Sequence, residues 1–124
     1  WASLGVLELT SLPTVGRERW VPWVRAADVL LVDGGDATYL AHWMRESGLA
    51  DLLPSLDDLV WVGVSAGSMV MTPRIGSDFV SWPAAPDDRA LGIGHLVPIG
   101  APWREGSRRW WVRPWRRRTL PVVA

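Results

Sequence analysis

The chain has 124 residues, with 13 arginines, no lysine, ten tryptophans and no cysteine. This length fits one domain, which buries enough surface to fold without a disulfide or a metal staple. The lack of cysteine excludes disulfides, cysteine–zinc sites and thiol catalysis. No apolar run approaches the ~20 residues of a membrane span, and the first residues do not form a signal peptide, so we expect a soluble, cytoplasmic protein.

The net charge of zero conceals two oppositely charged segments. Residues 1–100 carry six arginines against twelve acidic residues, whereas residues 101–124 carry seven arginines against Glu105 alone and hold four of the ten tryptophans. Such a break marks a boundary between segments of different role or origin. We therefore expect a partial α/β domain over residues 1–100 and an irregular Arg/Trp-rich tail over residues 101–124.

Three segments predict strands, and one predicts broken helix. Residues 3–9 are short and largely apolar, which favours a strand. Residues 14–26 contain Pro22, which suits a helix interior poorly, so they predict one short helix or two turns. The continuous apolar runs at residues 28–33 and 59–64 are typical of strands that are covered on both faces.

Helices are predicted after each of the two apolar runs. Asp36 offers an N-cap to a helix over residues 37–47, and Gly48 suits the left-handed residue after its end. A further helical stretch covers residues 49–53, and residues 65–71 begin another. Strand and helix in alternation predict a parallel α/β sheet.

One motif carries chemistry: Gly63-Val64-Ser65-Ala66-Gly67 matches Gly-x-Ser-x-Gly at the end of a predicted strand and the start of a helix. In this context the glycines permit a tight turn that projects the serine hydroxyl, and the helix start offers backbone N–H groups to an oxyanion. The motif therefore indicates a nucleophile. The alternative is a turn in which Ser65 only caps the helix.

A second glycine loop, Gly34-Gly35-Asp36, follows the neighbouring predicted strand. Open α/β sheets place their sites at the carboxyl ends of adjacent strands, so this loop could meet the serine turn. A glycine N–H there could complete an oxyanion hole. A plain turn followed by an N-cap explains the same residues equally well.

Together, Asp28-Val-Leu-Leu-Val-Asp-Gly-Gly-Asp36 and Val62-Gly-Val-Ser-Ala-Gly-Ser-Met69 resemble peptidase E, of the S51 group of serine peptidases that includes cyanophycinase. The resemblance runs from about Leu4 to Gly94 and includes Ala90-Leu91-Gly92. It implies a flavodoxin-like three-layer sandwich, related to class I glutamine amidotransferases and incomplete here at both ends. The third position of the glycine block, commonly Asn in the family, is Asp36.

The resemblance implies a serine-type dipeptidase that hydrolyses small peptides, notably dipeptides with an N-terminal aspartate. Ser65 would be the nucleophile, and an N–H of the Gly34-Gly35 loop would form the oxyanion hole with the Ala66 N–H. No metal or cofactor is implied, and the expected partner is a small peptide rather than a membrane or a nucleic acid. Because both edges of the domain are missing, we expect the chain to be poorly soluble, oligomeric or loosely folded.

The sequence departs from the family where the general base is expected. The family's Pro-His-x-Asp would fall near Ala101-Pro102, and neither residue takes a proton. His95 lies about six residues early and is the candidate substitute base, whereas His42 is interpreted as a surface or packing residue. Asp78 is the candidate acid of the triad, with a solvated loop aspartate as the alternative.

Three interpretations of the tail remain open. It is an anion-binding patch for nucleic acid or a membrane surface, a structural element whose tryptophans pack on the sheet, or an out-of-frame translation of a gene rich in G and C. We favour the third, because it explains the missing histidine motif and the charge break together. The predicted function is therefore an impaired serine peptidase, with an inactive fragment or an anion-binding module as the alternative.

Overall fold

Strands and helices alternate along the chain in this computed structural model, which describes residues 3–93 and 120–123. Short 3-10 helices connect several of the regular elements. The strands are β1 (Leu4–Leu7), β2 (Val29–Val32), β3 (Val60–Gly63) and β4 (Leu120–Val123), the α-helices are α1 (Arg17–Arg25), α2 (Ala37–Glu46), α3 (Leu49–Leu52) and α4 (Ala66–Met69), and the 3-10 helices are Leu9–Thr14, Leu53–Ser55 and Ser77–Phe79.

The strands form one parallel sheet in the order β1-β4-β2-β3. Leu31 of β2 pairs with Val62 of β3 on one side and with Val122 of β4 on the other. The prediction of an α/β fold with a parallel sheet is confirmed. β4 lies inside the tail that the sequence analysis expects to be irregular, so the expectation is wrong for residues 120–123, which form a strand. Residues 101–119 lie outside the described residues.

The predicted caps of α2 form as expected. The Asp36 side chain accepts hydrogen bonds from the N–H groups of Thr38 and Tyr39, and Gly48 adopts the left-handed conformation with φ 75°. Pro22 lies inside α1, which is nevertheless continuous. Burial of Trp20 and Val24 on the inner face of α1 offsets the hydrogen bond that the proline cannot donate.

The core lies on one face of the sheet. Leu7, Leu30 and Val32 are buried there among residues of the helices, including Trp20, Met44 and Leu49. Side chains on the opposite face are exposed among the described residues. The prediction that β2 and β3 are covered on both faces is therefore wrong for the part of the chain that the structure describes. These exposed residues are Leu4, Val6, Leu31, Val60 and Val62.

Candidate functional site

Ser65 occupies a strained turn between β3 and α4. Its φ of 52° makes it the one non-glycine residue with positive φ among those described, and its ψ is −113°. Such a conformation costs about 1–3 kcal/mol and persists only where the surroundings impose it. The Ser65 side chain makes no capping hydrogen bond to α4, so helix capping does not explain the residue.

Close backbone packing requires both glycines of the motif. A Cβ on Gly63 would lie 2.2 Å from the carbonyl oxygen of Gly67, and a Cβ on Gly67 would lie 2.3 Å from the carbonyl oxygen of Val32. No side chain fits at these distances. The start of α4 is therefore pressed directly against the ends of β3 and β2.

Hydrogen bonds brace the same turn from outside. The Trp61 indole N–H donates to the Gly67 carbonyl at 2.9 Å, and the Ser68 hydroxyl donates to the Gly63 carbonyl at 2.6 Å. The Val64 N–H donates to the Val32 carbonyl at 2.8 Å, which extends the pairing of β3 with β2 up to the serine. The strained conformation of Ser65 is thus held by its neighbours on both sides.

The structure brings Ser65 and the first glycine loop together. A Cβ built on Gly34 would lie 3.4 Å from the Ser65 Cβ and 3.8 Å from its Oγ. The two loops follow paired strands, and Ser65 itself is exposed to solvent. The serine hydroxyl therefore lies beside the glycine loop, in reach of a ligand, as the sequence predicts.

The backbone N–H groups of Gly35, in the glycine loop, and Ala66, next to Ser65, have no acceptor among the described residues. The Gly34 N–H, in contrast, donates to the Oδ1 atom of Asp33 at 2.7 Å. Of the two glycines in the loop, only Gly35 thus retains an N–H that is available to a ligand within the described part of the chain.

Asp36 connects the glycine loop to a distant segment. Its Oδ1 caps α2, while its Oδ2 accepts hydrogen bonds from the Ser81 N–H at 3.0 Å, the Ser81 hydroxyl at 2.5 Å and the Trp82 N–H at 2.8 Å. Partial burial alone would raise the pKa of Asp36, but hydrogen bonds from Ser81, Thr38 and Tyr39 outweigh burial and hold the pKa well below its ordinary value.

Sequence reasoning missed this connection. It identified the capping role of Asp36, but no local pattern links that residue to Ser81, which is 45 positions away. No sequence pattern specifies that Asp33 accepts the Gly34 N–H. Both acidic residues flank the glycines directly, and that proximity was the one available signal.

Aromatic side chains pack beside the first turns of α2. The Trp82 ring lies 5.5 Å from Tyr39 and 5.0 Å from His42, and His42 lies 5.2 Å from Trp43, all between ring centroids. These contacts agree with the interpretation of His42 as a packing residue. They also hold the Ser81–Trp82 segment close to the glycine loop.

The described contacts of Ser65 include none with the other two predicted catalytic residues, Asp78 and His95. Asp78 lies in the 3-10 helix Ser77–Phe79, exposed, and its carboxylate makes no hydrogen bond or ion pair with any described residue. His95 lies outside the described residues. The roles of Asp78 and His95 therefore remain predictions.

Within residues 3–93 and 120–123, no group of three or more histidine or acidic side chains is arranged to hold a metal ion. The helices of the same residues include none that is long and apolar enough to span a membrane.

Comparison with known proteins identifies one family. Residues 2–96 match the model of peptidase family S51, which covers both glycine loops and the strands before them. No curated protein and no solved structure matches the chain.

Proposed function

Because the chain belongs to peptidase family S51, we propose that Ser65 is the nucleophile of a serine-type peptidase that acts on small peptides, notably aspartyl dipeptides. The observation that carries this proposal is the strained, uncapped conformation of Ser65 beside Gly34. A serine that served only as a cap would adopt ordinary extended backbone angles and would bond the helix start. Strain of this kind clusters at functional sites.

The chemistry assigned to the site is acyl transfer. The Ser65 Oγ attacks the scissile carbonyl carbon, its proton passes to a base, and the carbonyl oxygen becomes an oxyanion. The N–H groups of Gly35 and Ala66 donate to that oxyanion, since both lack another acceptor among the described residues. The amine then leaves with a proton, and water hydrolyses the acyl-enzyme.

The general base is the catalytic group for which this sequence departs from the family. His95 is the candidate, and Asp78 is the candidate acid behind it. Ala101-Pro102 stands where the family's histidine is expected, and a serine hydroxyl without a base is a weak nucleophile near neutral pH. Such a site retains roughly 10³–10⁴-fold acceleration over water, from the oxyanion hole and binding alone. We therefore expect negligible turnover.

Assays on a dipeptide with an N-terminal aspartate test the proposal. The chain as written is compared with its Ser65→Ala and His95→Ala variants and with a chain whose reading frame is shifted by one nucleotide near codons 92–95. We expect the shift to restore Pro-His-x-Asp and turnover that Ser65→Ala abolishes. Equal Ser65-dependent turnover by the uncorrected chain would overturn the proposed impairment, and loss of that turnover in His95→Ala would make His95 the base.

Covalent labelling tests the nucleophile independently of turnover. A fluorophosphonate probe should modify Ser65, as located by peptide mass spectrometry, and Ser65→Ala should remove the label. Ser77→Ala is the matched control, because Ser77 is also an exposed serine at the start of a short helical turn. Labelling that persists in Ser65→Ala would refute the assignment.

The second candidate function is anion binding by the basic tail, for which the observation is the excess of seven arginines over one acidic residue in residues 101–124. Retention on an anionic column that falls with salt, survives Ser65→Ala and disappears when residues 101–124 are deleted would favour it. Retention that does not depend on the tail would exclude it.

A further inference from the structure

Asp33 brings an exposed carboxylate to the edge of the candidate site. It follows the last residue of β2 and directly precedes the glycine loop. Its Oδ1 accepts the Gly34 N–H at 2.7 Å, and a Cβ on Gly34 would lie 3.8 Å from the Ser65 Oγ. Combined with the fixed geometry of the Gly34 backbone, these two distances place the Asp33 Oδ1 within about 10 Å of the Ser65 Oγ.

The second carboxylate oxygen of Asp33 is available to a ligand within the described part of the chain. Oδ2 accepts no hydrogen bond and forms no ion pair with any described residue. The other carboxylate of the loop differs, because both oxygens of Asp36 accept hydrogen bonds from the chain itself. The arginines that form ion pairs among the described residues contact other aspartates.

An unpaired carboxylate beside the nucleophile would oppose the proposed reaction. The substrate carbonyl oxygen becomes negative when Ser65 attacks, and the carboxylate of Asp33 repels that charge at short range. A cation that is held by Asp33 removes this repulsion. The site therefore favours a substrate that carries a positive group next to its scissile carbonyl.

The N-terminal ammonium of a dipeptide is such a group, and covalent geometry fixes its position. The ammonium nitrogen lies two bonds, or about 2.5 Å, from the scissile carbonyl carbon of the first residue. Attack brings that carbon to about 3–3.5 Å from the Ser65 Oγ, so the ammonium lies within about 6 Å of the same atom. An ion pair joins atoms up to about 4 Å apart, which allows the ammonium to reach the Asp33 carboxylate.

We propose that Asp33 binds the free N-terminal ammonium of the substrate and so selects peptides that are cleaved after their first residue. The proposal rests on the assignment of Ser65 as the nucleophile. Oδ1 holds the side chain against the Gly34 N–H, and Oδ2 accepts a charge-assisted hydrogen bond from the ammonium. A peptide without this amine loses the contact and leaves the carboxylate unpaired.

Protection of Ser65 from a fluorophosphonate probe tests this binding without requiring turnover. Aspartyl-alanine carries its ammonium at about pH 7, whereas succinyl-alanine is the same molecule without the amine. Aspartyl-alanine should halve the labelling rate at a concentration about tenfold lower than succinyl-alanine. Asp33→Asn keeps an oxygen for the Gly34 N–H but has no charge. It should raise the concentration of aspartyl-alanine that is needed about tenfold and leave that of succinyl-alanine unchanged.

Asp28→Asn is the matched control, because Asp28 directly precedes β2 at the opposite end of the strand, and it should change neither concentration. Asp33→Ser, whose hydroxyl can also accept the Gly34 N–H, repeats the measurement if Asp33→Asn fails to fold by circular dichroism. Equal protection by the two ligands in the parent chain, or an equal effect of Asp33→Asn on both, would overturn the role of Asp33 and leave Ser65 as the nucleophile. Failure of the probe alone to label Ser65 would refute the nucleophile and this proposal with it.

Discussion

The loops after β2 and β3 meet beside Ser65, but different forces hold them in place. The turn at Ser65 is fixed by steric contact, since Gly63 and Gly67 leave no room for a Cβ against the neighbouring backbone. The loop at Gly34 and Gly35 is fixed by the carboxylates of Asp33 and Asp36. The serine turn should therefore tolerate a change of pH but not an added side-chain atom. The glycine loop should tolerate an added atom but should be destabilised by acid.

The largest expected effect is on the serine turn. Gly67→Ala places a Cβ 2.3 Å from the Val32 carbonyl oxygen and forces β2 and α4 apart. We expect the free energy of unfolding to fall by about 3 kcal/mol, measured by urea denaturation, which is the upper end of the usual cost of overpacking.

Gly76→Ala is the control for that substitution. Gly76 has φ 87°, but the nearest atom to an added Cβ is a Phe79 ring carbon at 3.7 Å. Only backbone strain applies there, at φ 87° and ψ 140°, so the loss should be about 2 kcal/mol, the middle of the usual range for strained backbone. Equal losses at Gly67 and Gly76 would show that steric contact does not hold the serine turn.

The next effect concerns the glycine loop. Asp36→Asn keeps one oxygen to cap α2, but it replaces Oδ2 by an amide that cannot accept from Ser81 or Trp82. We expect a loss of about 1–2 kcal/mol by urea denaturation. Asp57→Asn, at an exposed carboxylate without a hydrogen bond to any described residue, should change stability by less than about 0.5 kcal/mol. A loss no larger than that in Asp36→Asn would refute the connecting role.

Lowering the pH should remove the stability that the Asp36 carboxylate contributes through the glycine loop. The pKa of Asp36 is lowered on folding, so its ionised form contributes stability above the unfolded pKa of about 3.9, and this contribution is lost as the pH falls below that value toward the folded pKa. Urea denaturation at about pH 5.5 and about pH 3 measures the loss. It should be smaller in Asp36→Asn than in the parent chain, and an identical loss in both would contradict the assignment.

Local features of this fold were predictable from sequence, whereas contacts between distant segments were not. The apolar runs around Leu31 and Val62 predicted two paired strands, and Asp36 and Gly48 predicted both ends of α2, because each of these signals acts over a few residues. The contact of Asp36 with Ser81 and the pairing of β4 between β1 and β2 depend on tertiary placement. Periodicity contains no information about that placement.

Some features of the candidate site were likewise predictable from local sequence, and others were not. Gly-x-Ser-x-Gly predicted the turn at Ser65, since the motif itself encodes a strand followed by a helix. That the Gly34-Gly35 loop lies beside Ser65 follows from the pairing of β2 with β3, and the sequence analysis left this meeting of the two loops open, because open α/β sheets place their sites at the ends of adjacent strands. The choice of Gly35 over Gly34 as the free N–H donor depended on Asp33, whose side-chain direction no sequence pattern specifies.

A smaller effect would measure the strain at Ser65. Ser65→Gly removes the side chain from a residue with φ 52°, whereas Ser65→Ala retains a Cβ and therefore the strain. We expect Ser65→Gly to raise the free energy of unfolding by about 1 kcal/mol relative to Ser65→Ala, by urea denaturation. A glycine variant no more stable than the alanine variant would show that the conformation stores no strain.

Gly34→Ala should change stability least of these variants, but it should slow the reaction of Ser65 with a covalent probe. Gly34→Ala adds a Cβ at 3.4 Å from the Ser65 Cβ, in ordinary contact, and Gly34 does not have the positive φ of Gly35. The free energy of unfolding should therefore change by less than about 0.5 kcal/mol. The added methyl lies 3.8 Å from the Ser65 Oγ. Under the proposed function, it would crowd an electrophile that reacts with this hydroxyl. Fluorophosphonate labelling of Ser65 should slow about tenfold or more, because small displacements at a reacting centre are costly. Unchanged labelling in a folded Gly34→Ala variant would place the approach to Ser65 on another side.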